Sequence, residues 1–93
     1  METLNKKYTF VNSIVEGGSC NKFGYDQYVS NSDATSAYTV TIKVFVSQAG
    51  MPTKESQKIV SVPAGGKTYL GCSQLATERM VKVKYEVVGE SKE

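Results

Sequence analysis

From Tyr38 to Gln48 the chain reads YTVTIKVFVSQ, with apolar side chains at alternate positions. Tyr38, Val40, Ile42, Val44 and Val46 share one side of an extended backbone. Thr39, Thr41, Lys43 and Ser47 share the other, and only Phe45 breaks the polar face. A period of two in β-favouring residues predicts a strand with one face buried and one wet. Met80 to Val88 repeats the pattern, with Val81, Val83, Tyr85 and Val87 inward and Lys82, Lys84 and Glu86 outward. Lys7 to Val15 predicts a first strand with Tyr8, Phe10 and Ile14 on one face and Val11 and Val15 on the other. Apolar residues on both faces suit a central strand or one that crosses between sheets. Shorter strands are expected at Tyr25–Val29, Ser56–Val62 and Lys67–Cys72, the last with Thr68, Leu70 and Cys72 on one side.

Turn chemistry separates these segments. Glu16-Gly17-Gly18-Ser19 is expected to end the first strand, because paired glycines admit positive φ. Ser30 to Ser36 is a polar turn whose side chains compete for backbone hydrogen bonds. Ala49 to Thr53 and Pro63-Ala64-Gly65-Gly66 carry Gly and Pro punctuation. Ser73 to Glu78 reads as one helical turn or an irregular crossing, and Gly89 to Glu93 as a frayed charged tail. Six or seven short strands with turns between them predict an all-β fold. The expected form is a single antiparallel immunoglobulin-like β-sandwich over residues 1–93, with a small barrel as runner-up.

Two segments, YTVTIKV (38–44) and IVSVPAGGKTYLGC (59–72), carry a resemblance. Together they resemble small bacterial immunoglobulin-like sandwich domains, in which a long strand is followed by a strand, a Pro-x-Gly turn and a strand returning to the core. The resemblance implies the sandwich fold and a role in binding or assembly rather than catalysis. It carries over no functional residue. The chain has no tryptophan, so the antibody-type Cys…Trp…Cys signature is absent.

Size and charge narrow the classes further. Ninety-three residues suffice for one small hydrophobic core. The net charge of +2, with eleven Lys and Arg scattered along the chain, disfavours a nucleic-acid partner. No apolar run approaches the roughly 20 residues of a membrane-spanning helix, so no membrane span is expected. The opening stretch METLNKKYTF has lysines without an apolar run behind them, which predicts no signal peptide within it.

Cys20 and Cys72 leave two readings open. They form a disulfide closing a loop of roughly 50 residues and tethering the two sheets, or they are two buried thiols. A bridge places the protein in a secreted or cell-envelope setting, and free thiols place it in the cytoplasm. With no histidine and no Cys-x-x-Cys spacing, no metal and no cofactor is expected.

The missing histidine also excludes Ser-His-Asp and Cys-His catalysis. Lys22 beside Cys20 is the one local cation that could activate a thiol, and it reads as a solvated loop lysine. Glu16, Asp26, Asp33 and Glu78 lie in expected turns and form no pair. Gly65-Gly66-Lys67-Thr68 echoes a phosphate loop, but no glycine stands at the required spacing before Gly66. No catalytic residue is assigned, and the chain reads as non-enzymatic.

Binding has better candidates. Phe23, Tyr25 and Tyr28 gather among polar neighbours, a composition suited to a protein partner because Tyr combines contact area with a hydrogen-bonding tip. Lys43, Lys82 and Lys84 would form a basic stripe if the central and final strands are neighbours. Phe45, or an edge strand, offers a route to a homodimer. The functional expectation is a protein-binding or assembly module of bacterial cell-envelope or secreted type. The alternative is a small cytosolic or phage-encoded inhibitor or accessory protein that binds an enzyme.

Overall fold

The structure is a computed structural model that describes residues 9–76 and 80–93. Seven strands follow one another: β1 (Asn12–Ser19), β2 (Tyr25–Asn31), β3 (Tyr38–Gln48), β4 (Lys54–Val62), β5 (Lys67–Cys72), β6 (Gln74–Ala76) and β7 (Met80–Lys92). They form a three-stranded sheet, β1-β2-β5, and a four-stranded sheet, β4-β3-β7-β6. Every described pairing is antiparallel. The all-β, two-sheet expectation holds, and β3 and β5 have the bounds the alternation predicts.

The core lies between the sheets. Val29 and Leu70 enter it from the smaller sheet, and Tyr38, Val40, Ile42 and Val62 from the larger one. Val81 and Val83 are also buried, while Lys82, Lys84 and Glu86 between and beyond them face water. The larger sheet outruns the smaller. Ile42 is fully buried, but Val44 and Val46 are only half-buried, and β4 is exposed on both faces from Lys54 to Ile59. The molecule is accordingly long and flat, 49 × 30 × 17 Å.

Three local expectations are corrected. Among the described residues β1 begins at Asn12, and it continues through Gly17 and Gly18 to Ser19. The glycines lie in a register shift between Glu16 and Ser19, a bulge rather than a turn. A Cβ on Gly17 would sit 2.6 Å from the Tyr28 ring, so the glycine makes room for that aromatic on the neighbouring strand. The expected positions of Lys7 and Tyr8 lie outside the described residues. Between Ser73 and Glu78, Gln74–Ala76 forms β6 against Lys82–Met80 of β7, and 77–79 lie outside the described residues. Ladder hydrogen bonds override helix propensity in so short a segment. The C-terminal residues are not frayed. β7 runs on to Lys92 opposite Tyr38, and the Glu93 amide donates to the Ala37 carbonyl. The Glu93 carboxylate accepts from Thr39 and Ser61 on two other strands.

One end of the core is closed by polar groups. Glu90 of β7 accepts hydrogen bonds from the backbone amides of Val11 and Asn12 and from the Asn12 side chain, at 2.8–3.0 Å. This carboxylate therefore joins the larger sheet to β1 of the smaller. Asn31, the ladder partner of Asn12, is buried and donates to the carbonyls of Ser36 and Pro63. Its own Oδ1 accepts from the Asp33 amide.

Asp33 caps the following turn, accepting from the Thr35 amide and hydroxyl and from Ser36. The Thr35 amide bond, first among these, holds its carboxyl below the usual carboxylate range. Ionised Asp33 thus stabilises the fold above its unfolded-state pKa, and that stability is lost as pH falls through the lower folded value. Asp33→Asn should flatten the acid limb of a stability-versus-pH curve measured by denaturant unfolding.

Candidate functional site

The disulfide end of the molecule carries the exposed aromatic side chains of Phe23 and Tyr25. Cys20, just past β1, is bridged to Cys72, the last residue of β5, with Cα atoms 5.9 Å apart and a sequence separation of 52. Cys20 follows β1 and Cys72 ends β5, and both strands belong to the three-stranded sheet. The bridge therefore spans the start of β2 between the two outer strands and does not tether the two sheets, as the sequence reading supposed. Sheet topology decides this, since β1 and β5 both flank β2.

The crossing between sheets falls instead at Ser73. Its amide donates to the Tyr25 carbonyl, its hydroxyl accepts from the Tyr25 amide, and its carbonyl accepts from Val83 of β7. Inside the loop, Asn21 Oδ1 accepts from the amides of Phe23 and Gly24. Asn21 Nδ2 donates to the Gln74 carbonyl at 2.6 Å and lies 3.2 Å from Cys72 Sγ. The Cys20 amide closes the turn on Gly24. Gly24 is needed there: a Cβ would stand 2.9 Å from both Cys72 Sγ and the Gln74 amide. A covalent bridge and five hydrogen bonds thus hold the segment that carries Phe23 and Tyr25. These two side chains remain 58% and 49% exposed, so Phe23 does not seal the end of the core.

Tyr28 lies farther along β2. Val29 beside it is buried, so Tyr28 projects from the opposite, outer face of the smaller sheet. There it meets Tyr69 of β5 edge to face at 5.4 Å, and Lys67 Nζ lies 4.3 Å from its ring centroid. The Tyr69 hydroxyl donates to Asp26 at 3.1 Å, and this bond raises the phenol pKa above its ordinary value. The structure thus places Phe23 and Tyr25 on the braced loop and Tyr28 in a separate aromatic pair.

No family model, curated protein or solved structure matches this chain.

Tyr69 was missed at the sequence level, although its signal was present. The alternation that turns Leu70 inward turns Lys67 and Tyr69 outward. Tyr69 is 53% exposed, comparable to Tyr25.

The lysines do share a face. β3 and β7 are adjacent, with Lys43 opposite Glu86, Phe45 opposite Lys84 and Ser47 opposite Lys82. Yet Lys43 pairs with Glu55 at 3.0 Å and leans over Phe45 at 5.6 Å. Two carboxylates, Glu55 and Glu86, thus interrupt the positive stripe at its Lys43 end. The turn after β3 borders an open depression of about 450 Å³ lined by Ser47, Gln48, Ala49, Met51, Thr53 and Lys82. Its lining holds no carboxylate or thiol, and Lys82 is its one titratable side chain. Among the described residues, no group of three or more His, Cys, Asp or Glu side chains could hold a metal ion. No helix of the described residues is long and apolar enough to cross a membrane.

Proposed function

We propose that this domain is a non-enzymatic protein-binding or assembly module of immunoglobulin-like sandwich type, acting in a secreted or cell-envelope setting. The observation that carries this reading is the display of Phe23 and Tyr25 on a covalently braced loop. Aromatic rings left in water forgo their burial free energy. A rigid loop loses little conformational entropy when a partner covers those rings. Such preorganised aromatics are the usual energetic centres of protein interfaces.

Topology supports the immunoglobulin-like assignment. The order β1-β2-β5 facing β4-β3-β7 follows strands A-B-E facing C′-C-F of those domains. The departure lies at the other edge, where β6 precedes β7 in the chain but occupies the place of the strand that should follow it. The Cys20–Cys72 bridge supports an oxidising compartment.

The test is capture by the immobilised native domain, set beside a Phe23→Ser/Tyr25→Ser variant. Both side chains are exposed, so the variant should unfold at nearly the native temperature. The proposal expects one protein retained by the native domain and bound at least tenfold more weakly by the variant. Equal retention by both would make the loop a structural closure and remove it as the binding surface.

A further inference from the structure

The sheet edges differ sharply in fitness for strand addition. β1 carries the bulge at its glycines, β5 a register shift opposite Gln27 and Tyr28, and β6 only three residues. Bulges and short length blunt an edge. β4 has neither feature. It pairs with β3 in unbroken register from Val46–Lys54 to Tyr38–Val62, and its first six residues are exposed on both faces. Ile59 on this strand is 69% exposed, the largest value among the bulky apolar side chains described.

Which backbone groups this edge presents follows from two hydrogen bonds at its end. The Glu93 amide donates to the Ala37 carbonyl, so Ala37 faces β7. Backbone groups alternate in direction along an antiparallel ladder. Tyr38, Val40, Ile42, Val44 and Val46 therefore face β4 and bond Val62, Val60, Lys58, Ser56 and Lys54, their register partners. The amides and carbonyls of Glu55, Gln57, Ile59 and Ser61 must then point away from β3. The Ser61 carbonyl does so, accepting from the Thr68 hydroxyl at 2.7 Å. Glu55, Gln57 and Ile59 are left with three donors and three acceptors aligned on an outer edge.

We infer that this edge pairs with the same edge of a second copy, antiparallel about a two-fold axis through Gln57. The charges select that register. An antiparallel two-fold dimer joins residues of the same face, so the axis passes through one residue of the strand. An axis at Glu55 sets Glu55 against Glu55, one at Ser56 sets Lys54 against Lys58, and one at Lys58 sets Lys58 against Lys58. Like charges directly opposite are destabilising. An axis at Ile59 needs the Ser61 carbonyl, which Thr68 holds. With the axis at Gln57, Glu55 faces Ile59, Lys54 faces Val60 and Ser56 faces Lys58, and no like charges meet. The Lys58 ammonium, which would otherwise guard the edge, is turned onto the Leu70 carbonyl of its own chain at 3.3 Å. The product is one continuous eight-stranded sheet, joined where β4 of one copy pairs with β4 of the other.

The test is sedimentation of the native, oxidised domain over a wide concentration range. A reversible dimer with a dissociation constant on the order of 10–100 μM is expected for an edge contact of this size. Gln57→Pro removes an outward amide and no bond to β3, so it should keep the fold and weaken the dimer at least tenfold. Ile59→Glu places Glu opposite Glu55 and should weaken the dimer about fivefold, whereas Ile59→Lys should tighten it by a similar factor. Gln57→Cys should cross-link to itself across the axis under mild oxidant, since facing Cα atoms lie about 5.5 Å apart there. A monomer mass up to about 1 mM would overturn the inference, as would a dimer whose strength is indifferent to Gln57→Pro, Ile59→Glu and Ile59→Lys.

Discussion

Replacing Cys20 and Cys72 by serine should lower the unfolding free energy by about 4 kcal/mol, comparable to the whole stability of many domains this small. The bridge spans 52 positions, so its removal returns a large closed loop to the unfolded ensemble. Because both cysteines sit on one sheet, the native-state cost should stay local. The core contacts of Ile42, Val40 and Val29 need no bridge to form. Urea unfolding of the double serine variant, beside the native protein with and without reductant, measures the difference. The variant and the reduced protein should agree in midpoint. A loss below about 1 kcal/mol would mean that the unfolded chain is already compact around these positions.

The second large effect is expected at Glu90. Glu90→Ala should cost about 3 kcal/mol, because it strips a charged acceptor from the amides of Val11 and Asn12 and from the Asn12 side chain. Glu90→Gln should cost about half as much. Its amide keeps one acceptor, and its new donor can meet Asn12 Oδ1, which has no hydrogen-bond partner among the described residues, once the Asn12 amide turns. Denaturant unfolding gives the magnitudes, and hydrogen exchange at the Val11 and Asn12 amides gives the location. If Glu90→Ala unfolds within about 0.5 kcal/mol of the native protein, the carboxylate does not join the sheets in solution.

The two effects arise at opposite ends of β1 and share no contact, so they should add to within about 0.5 kcal/mol in the combined variant. They also differ in kind. The bridge acts mainly through the unfolded chain, whereas the Glu90 bonds exist only in the native state.

Strands with one wet and one buried face were legible because alternation is a local property. Val40, Ile42, Val81 and Val83 declare their direction through their neighbours alone. The turn at Pro63–Gly66 was legible for a similar reason: Gly65 adopts φ 63° and the Gly66 amide closes on Pro63 within four residues. Phe23 and Tyr25 stood out as aromatics among polar residues, and their exposure is consistent with that composition.

Other features depend on residues far apart in the chain. Gly17 and Gly18 look like a turn until Tyr28 of the neighbouring strand needs the space above Gly17. Ser73–Ala76 has helical composition, but β7 supplies a ladder for it. Residues 89–93 look frayed until Tyr38, Thr39 and Ser61 are placed beside them. Glu90 reads as a solvated tail charge, yet its partners lie 78 and 79 positions away. The sequence alone determined the all-β fold class, the buried faces of the long strands, the turn at Pro63–Gly66 and the absence of histidine. Tertiary structure alone decided which strands share a sheet, that the disulfide lies within one sheet, and that Glu90 links the two. The physical reason is range: alternation and turn propensity act over a few residues. Strand order is instead set by competition among distant pairings for one core and by the need to satisfy each buried polar group.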